Sequence, residues 1–326
     1  MSKHPKSWYI AAKSCDVKRG KLKELSLFNK SYVIYRTKND EIAIFEKYCP
    51  HMGASLSLGK IINDCIRCPF HHWSYDKEGR CVHIPSIDNI PSKAKLNKIF
   101  SREMYGLIWI WYGDTPLFEL PVFNASLEFK NNYMPLRFSD FTKGSLRQVL
   151  ENSYDYFHFI GLHGIKPSSK LTITNLDEYR GKSLKSCPQI DEVARYGVVI
   201  DCPTLELDFI SSLFGINGSH FSIVVDGWPS GQFITSYLDG EELYQVMLGI
   251  QLIDNDTLIQ HVHVMTKKHD ILLIDWFNYL FYALQNRFGT SQDMPIYETS
   301  KSENTSLLTE MDLGVIEFRK LYSRWI

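Results

Sequence analysis

Over the first hundred or so residues the apolar positions come in short bursts: SYVIYR, EIAIFE, CIRCPF, CVHIP and LIWIWYG. Each is rich in β-branched and aromatic residues and bounded by Gly, Asn, Asp or Pro, the pattern of short strands between turns. Their spacing predicts a small antiparallel β domain that closes near Gly113. GDTPLFELPVF, with Pro116 and Pro121, reads as a connector. Beyond it the texture changes. Residues from about Gly144 to Leu162 carry helical periodicity. From Gly197 to Met265 longer alternating segments, HFSIVVDG, GQFITSYL, YQVMLGIQLI and TLIQHVHVMT, predict an antiparallel sheet. Two helical stretches follow, Ile271 to Phe288 and Leu307 to Trp325. The predicted architecture is α+β: an all-β module over residues 1–117, then an α+β module over 118–326 whose antiparallel sheet is flanked by helices. There are no internal repeats or low-complexity tracts.

Composition narrows the function classes. The chain has 326 residues, 44% hydrophobic and 22% charged, enough for a sizeable core. A formal net charge of −1 gives no basic field for nucleic acid or an anionic membrane. MSKHPKSWYI has no apolar core of signal-peptide length. The apolar run Ile271 to Phe288 is interrupted by Asp275, Asn278, Gln285, Asn286 and Arg287, so it reads as a buried or amphipathic helix rather than a membrane span. The expectation is a soluble, cytoplasmic protein with no nucleic-acid or membrane partner. Seven cysteines are too few for a disulfide scaffold in a chain this long, and three crowd beside histidines, as in a metal site of a reducing compartment.

That crowding lies in CPHMGASLSLGKIINDCIRCPFHHW, from Cys49 to Trp73. Two ligand sets compete. A zinc ribbon would use Cys65 and Cys68 as a knuckle, completed by Cys49 and a histidine. The alternative takes two pairs, Cys49 with His51 and Cys68 with His71, with sixteen residues between them. Two cysteines then bind one iron of a two-iron, two-sulfur cluster and two histidines the other, which raises the potential above that of an all-cysteine cluster. Pro50 and Pro69 stiffen both loops, Gly53 and Gly59 allow tight turns, and a ribbon would more often show a second CxxC knuckle. These details favour the cluster.

CPHMGASLSLG, CPFHHWSYD and GRCVHIP resemble the Rieske domain of the Rieske non-haem iron oxygenases, where CPHRGA and CPYHGW are usual. The resemblance implies the ligand set Cys49, His51, Cys68 and His71, and leaves out Cys65, His72 and Cys81. Met52 stands where Arg is common and His72 where Gly is common.

A second metal is argued separately. In SLRQVLENSYDYFHFIGLHG, Asp155 and His158 are three apart and share a helical face. His163 is five beyond His158, about 140° around a regular helix, so both imidazoles reach one ion only if the helix bends or loosens, for which Gly161 is suitably placed. A facial triad also needs a carboxylate. Spacing alone does not decide this. Glu151, Asn152, Asp155, His158 and His163 reproduce the oxygenase pattern E-N-x-x-D-x-x-H-x-x-x-x-H. By that resemblance His158 and His163 bind a mononuclear Fe(II), and a distant Asp completes the triad. SQDMPIYE supplies Asp293, just after the predicted apolar helix; Asp275 and Asp312 are the runners-up. In the family Asp155 bridges the Rieske histidine of one subunit to an iron-ligating histidine of the next, here His71 to Asp155 to His158, in a head-to-tail homotrimer. Other candidates fade. His261 and His263 read as alternating strand residues, Cys187 and Cys202 as core thiols. Tyr154, Tyr156, Phe157 and Phe159 read as core or as an apolar pocket wall, with further pocket residues expected from the Gly197–Met265 sheet and the helix around Phe277.

FRKLYSRW near the end also resembles the family's terminal helix, so the likeness spans nearly the whole chain. It implies a terminal oxygenase with a Rieske 2Fe-2S cluster and a mononuclear iron, using O2 on a small organic substrate. No GxGxxG loop is present, so NAD(P)H is expected to act only indirectly, through a flavin reductase with or without a ferredoxin. The chain's length matches the shorter homotrimeric members. The expected reaction is monooxygenation: hydroxylation first, O- or N-demethylation second, desaturation third. The readings from other classes are a Rieske electron carrier with a dead second site and a zinc-stabilised binding protein.

Overall fold

The computed structural model describes residues 4–127, 129–163, 171–179, 189–202, 220–301 and 307–326. Cys187 lies outside them. The chain divides into two units, one of Trp8–Pro116 with Gln251–Asn255, the other of Leu117–Ile250 and Asp256–Ile326 with the first few residues.

The first unit holds three small sheets. In spatial order they are β1 (Ser7–Lys13), β10 (Leu107–Tyr112) and β9 (Ser101–Met104); β2 (Leu22–Leu27), β3 (Lys30–Arg36) and β4 (Ile42–Glu46); and β5 (Lys60–Ile62), β6 (Cys65–Arg67), β7 (Ser74–Tyr75) and β8 (Cys81–His83). Two-residue turns set the registers. Phe28 and Asn29 between β2 and β3, and Asn63 and Asp64 between β5 and β6, all have φ between 51° and 61°, as the twist-matched hairpin turn requires. The second of these turns pairs Ile62 with Cys65 and so fixes the strand that leads into Cys68. The core is a cluster of Val33, Tyr35, Phe45, Leu56, Ile66 and Tyr75 that also contains Cys49 and Cys68.

In the second unit one seven-stranded sheet runs β11 (Tyr133–Lys143), β17 (Thr257–Lys267), β16 (Glu241–Leu252), β15 (Gly231–Leu238), β14 (Phe221–Trp228), β13 (Tyr196–Cys202) and β12 (Thr172–Asn175). The four long strands expected between Gly197 and Met265 are there. β11 was not expected: YMPLRFSDFTK carries Pro135 and alternating polar residues. It is an edge strand, paired only with β17, where a proline and a half-solvated face are tolerated.

Among the described residues six helices accompany the sheet: α1 (Asn124–Leu127), α2 (Phe129–Asn132), α3 (Leu146–Glu151), α4 (Tyr156–Gly161), α5 (Leu272–Thr299) and α6 (Leu313–Arg324). Two differ from expectation. The helix expected over Gly144–Leu162 is broken into α3 and α4 by a 3-10 turn, Asn152–Tyr154. α5 continues eleven residues past Phe288, through Gly289 and Pro295, so Asp293 lies inside the helix rather than after it. Its apolar side chains are also less buried than expected: Leu272, Trp276, Leu280 and Leu284, at every fourth position, are 49–72% exposed. α6 buries Val315, Phe318, Leu321 and Tyr322 at helical spacing, each burial contributing about 1.5–3 kcal/mol.

Candidate metal centres

The first centre grows out of the β6–β7 hairpin and the loop after β4. Cys49 and Cys68 are each 2% exposed, inside the core cluster. Both loops are closed by main-chain bonds: Cys49 N–H donates to Ala54 O, Gly53 N–H to Cys49 O, and Cys68 N–H to Trp73 O, at 2.8–2.9 Å. Gly53 has φ +70°, which a glycine adopts without strain. Burial pushes the Cys49 thiol up, partly offset by the Tyr75 hydroxyl 3.2 Å from its sulfur and by the His51 N–H. Thiolates held this way are costly unless a metal takes their charge.

The two imidazoles sit at the outer side. His51 is exposed and His71 half-buried, their ring centres 4.6 Å apart, with His51 stacked flat on Trp73 at 4.3 Å. Among the described residues, His158, His163 and Asp293 form the one set of three or more His, Cys, Asp or Glu whose donor atoms lie within 4.8 Å of one another. Two buried sulfurs on one side and two paired, solvent-facing imidazoles on the other fit a two-iron core with unlike ends. Cys65 stays in β6, and the Cys81 thiol contacts the His83 carbonyl at 3.6 Å.

The second centre is built by α3, α4 and α5. A capping box starts α3: Ser145 Oγ accepts from the Gln148 N–H, and Gln148 Oε1 accepts from the Ser145 N–H. After the 3-10 turn Asp155 takes an extended conformation, φ −92° and ψ 95°, and caps α4 by accepting from the Phe157 N–H at 2.9 Å. Asp155 is thus a cap and not a helix-face neighbour of His158. The His158 Nδ1–H donates to the main-chain carbonyl of Asp155, and the Asn152 amide donates to His158 Nε2 at 3.3 Å.

At its other end α4 widens. The carbonyl of His158 accepts from both Leu162 N–H and His163 N–H, at 2.8 and 3.3 Å, and His163 lies beyond the last turn. That widening brings the two rings to 4.9 Å. Gly161 keeps an ordinary helical conformation in this, and a side chain there would meet nothing within 4 Å. His163 Nδ1–H donates to Gln292 Oε1 at 2.9 Å, and its Nε2 lies 3.5 Å from Asp293 Oδ1. Both imidazoles therefore commit Nδ1 to a protein acceptor and leave Nε2 as the lone-pair atom.

Electrostatics point the same way. Burial lowers His158 to about 4, so the ring is neutral. Burial raises Asp293 to about 6, against the opposing pull of His163 and a hydrogen bond from Asn152. Asp293 Oδ1 is a buried oxygen with no hydrogen-bond partner. Two imidazoles with Nδ1 already committed and an orphaned carboxylate oxygen, close to one another, are the donor set of a facial triad. The runners-up have other work: Asp275 accepts from the His269 N–H at 2.6 Å, and Asp312 from the Thr309 N–H at 2.7 Å.

The trio lies on the wall of a cavity of about 260 Å³ in the second unit. The opposite wall is one face of the sheet, where Phe221, Ile223, Val225, Ile234, Val246, Leu248 and Val262 alternate inward. His261 and His263, out of phase with Val262, are buried on the other face, His261 Nδ1 3.0 Å from Ser139 Oγ. Of the four aromatics near the histidines Phe159 lines the cavity. Tyr154 is buried and stacks on Phe318 of α6 at 4.8 Å. Its approach needs glycine at 227 and 314, where a Cβ would stand 2.2 Å from the Tyr154 hydroxyl and 2.5 Å from its carbonyl oxygen. Glu151 accepts both bonds of a bidentate pair with Arg319 of α6, at 2.7 and 2.8 Å, which ties the ligand-bearing segment to the last helix.

Comparison with known proteins agrees with this chemistry. Residues 7–94 match the family model of the Rieske [2Fe-2S] domain. Over 98% of its length the chain is 29% identical to aminopyrrolnitrin oxygenase PrnD of Pseudomonas fluorescens, of which it covers 91%. The chain is a Rieske non-haem iron oxygenase. A crystal structure of dicamba monooxygenase bound to dicamba shares the fold, with a TM-score of 0.73 at 16% identity over 98% of this chain and 96% of that one. Cholesterol 7-desaturase nvd of Drosophila melanogaster is 34% identical over 49% of the chain, which spans only 38% of that protein. The oxygenase's cofactors are the Rieske cluster and a mononuclear iron, and its homologues work with electron-transfer partners, O2 and small substrates.

Several residues that line the cavity were not legible in the sequence. Gln292, Gly289 and Tyr297 all line the cavity from the second half of α5, which the expected helix end at Phe288 left out. Gly289 and Pro295 suggest that end, yet Gly289, Asp293 and Tyr297 recur every fourth residue. That period was the available signal. The expectation that the helix lines the pocket around Phe277 is corrected accordingly: Phe277 stacks on Phe281 instead.

Proposed function

We propose that Cys49, His51, Cys68 and His71 hold the cluster, that His158, His163 and Asp293 hold the iron, and that the oxygenase hydroxylates a compact, neutral organic substrate. The observation that carries this is the convergence of His158, His163 and Asp293 on the wall of an apolar cavity. When bound, the cluster supplies single electrons and the iron supplies activation of O2. His158 and His163 would present their Nε2 atoms and Asp293 a carboxylate oxygen, and three protein ligands would leave room for O2 and substrate. Asn152 holds His158 and Asp293 in place through its amide. The Val, Ile, Leu and Phe side chains of the sheet exclude water and orient an apolar body beside the trio.

Substrate class follows from the lining. Among the described residues the cavity has no Lys, Arg or Glu, and Asp293 is its one acid. A carboxylate or ammonium substrate would enter without a counter-ion, at a desolvation cost of several kcal/mol. Polar groups of Gln260, Gln285 and Asn286 can accept or donate one or two neutral hydrogen bonds. The volume lies below the roughly 300–1,000 Å³ of drug-sized sites, which supports a compact substrate. Desaturation on the same site is the second reading, favoured by the desaturase relatives.

The electron donor is a ferredoxin or flavin reductase in the cytoplasm, where thiolates stay reduced. The oxygenase acts as a homotrimer, a reading supported by the exposed apolar stripe on α5. Asp155 carries electrons between subunits, from His71 of one chain toward His158 of the next.

Iron analysis tests the assignment: about three irons per chain are expected, two in the cluster and one mononuclear. Two would leave an electron carrier. Asp155→Asn separates bridge from cap, because Asn caps a helix as well as Asp. Both metals and the thermal midpoint should be kept while turnover falls at least tenfold; unchanged turnover would leave Asp155 a cap alone.

A further inference from the structure

We propose that Gly289 sets the size limit for substrate beside the iron, an inference that rests on reading the cavity as the substrate chamber. Gly289 lies in the interior of α5, one turn before Asp293 on the same face. Nothing among the described residues asks for a glycine there. Its φ is that of an ordinary helix, and among the described residues a methyl group at this position would meet one atom, Cε1 of His163, at 3.8 Å, an ordinary contact. Gly227 and Gly314 are the contrast, since a Cβ at either would strike Tyr154.

A glycine inside a helix is less stable than alanine because its backbone loses more freedom on folding. At Gly289 that loss has no return in packing. The return lies in the cavity, which Gly289 lines together with His163 and Asp293. A side chain here would stand against the carbon between the two nitrogens of His163, in the space a reacting carbon must occupy to lie near the ligands. Leaving out the side chain keeps that space open. Gly289 is thus a specificity determinant: it touches the substrate's reacting end and admits a branched or ring carbon where alanine would not.

The test uses the full-length, iron-loaded protein under anaerobic conditions, with two neutral probes that share a head group, indole and 2-phenylindole, titrated by calorimetry. Gly289→Ala should keep its iron and melt about 2 °C higher. It should bind 2-phenylindole about tenfold more weakly or worse, the usual effect of one methyl group in a tight apolar pocket, with indole changed less. Gly289→Val should lose both probes while keeping the cluster. If wild type and Gly289→Ala bind both probes equally, the inference about Gly289 fails and the chamber stands. If neither probe binds wild type, the chamber reading fails and takes this inference with it. A lower melting point for Gly289→Ala would show that the fold itself needs the glycine, which also overturns the proposal.

Discussion

The two metal centres are built on opposite plans. The cluster loops keep all four proposed ligands within 23 residues, from Cys49 to His71, on tight turns whose main-chain bonds close locally. Two of those ligands belong to the unit's own hydrophobic core. The iron trio draws on residues 130 apart, His163 and Asp293, brought together by a broken helix on one side and a long one on the other. Its side chains are each only half-buried. Metal binding at the first centre is therefore part of folding, whereas at the second it fills a socket that other contacts already hold. Glu151 with Arg319, and Tyr154 with Phe318, are those contacts.

The largest expected effect breaks this symmetry. Cys68→Ala should abolish the cluster and leave a buried, unpaired Cys49 in a cored-out unit, with loss of soluble folded protein or several kcal/mol of stability. Asp293→Ala should remove the single iron and all turnover while leaving visible absorption and melting behaviour close to wild type. Absorption spectra, iron content and calorimetry check both. If Asp293→Ala also bleached the cluster, the two centres would not be independent in the way argued here.

The same contrast explains what could be read from residues alone. A ligand set compressed into two loops leaves its signature in one short string, and CPHMGASLSLG with CPFHHW was enough to indicate the family. His158 and His163 were nameable only because the pattern from Glu151 to His163 was matched as a whole; their spacing argued against a shared ion on a regular helix. What spacing could not supply was the break at Asp155, a product of local capping and of packing by α6 on Glu151 and Tyr154, and the widened last turn at His163. Asp293 was chosen from a short string, but its helix was ended too soon, since Gly289 and Pro295 resemble stop signals when tertiary packing is unknown. β11 was missed for the same reason, as an edge strand needs no clean alternation.

pH should separate the centres next. In the metal-free chain burial holds Asp293 near 6 and His158 near 4. Fe(II) must displace the Asp293 proton below that value, so affinity should fall about tenfold per pH unit from 6 to 5 and level off above about 7. The sign follows from the raised carboxyl: protons compete as pH falls, and His158, already neutral, adds nothing until about 4. Equilibrium dialysis against ferrous iron across pH 5–8 measures it, with the cluster's absorption unchanged over the same range. A flat profile would mean that Asp293 is ionised throughout and not desolvated as the buried site requires.

The smallest effect lies one residue from a cluster ligand. His72 has φ +59° in a position where the family commonly carries Gly, and its side chain is exposed. An L-residue in this conformation costs about 1–2 kcal/mol, and Gly would remove that cost while adding about 0.5–1 kcal/mol of unfolded-state entropy. His72→Gly should therefore stabilise the first unit by roughly 0.5–1 kcal/mol. Guanidinium unfolding followed through cluster absorbance reads this directly. The reduction potential should not move, because His72 holds no iron and its neighbour His71 keeps its contact with His51. A loss of stability instead would show that the His72 imidazole makes a contact worth more than the strain of its backbone. The loop would then owe its shape to a side chain as well as to its turns.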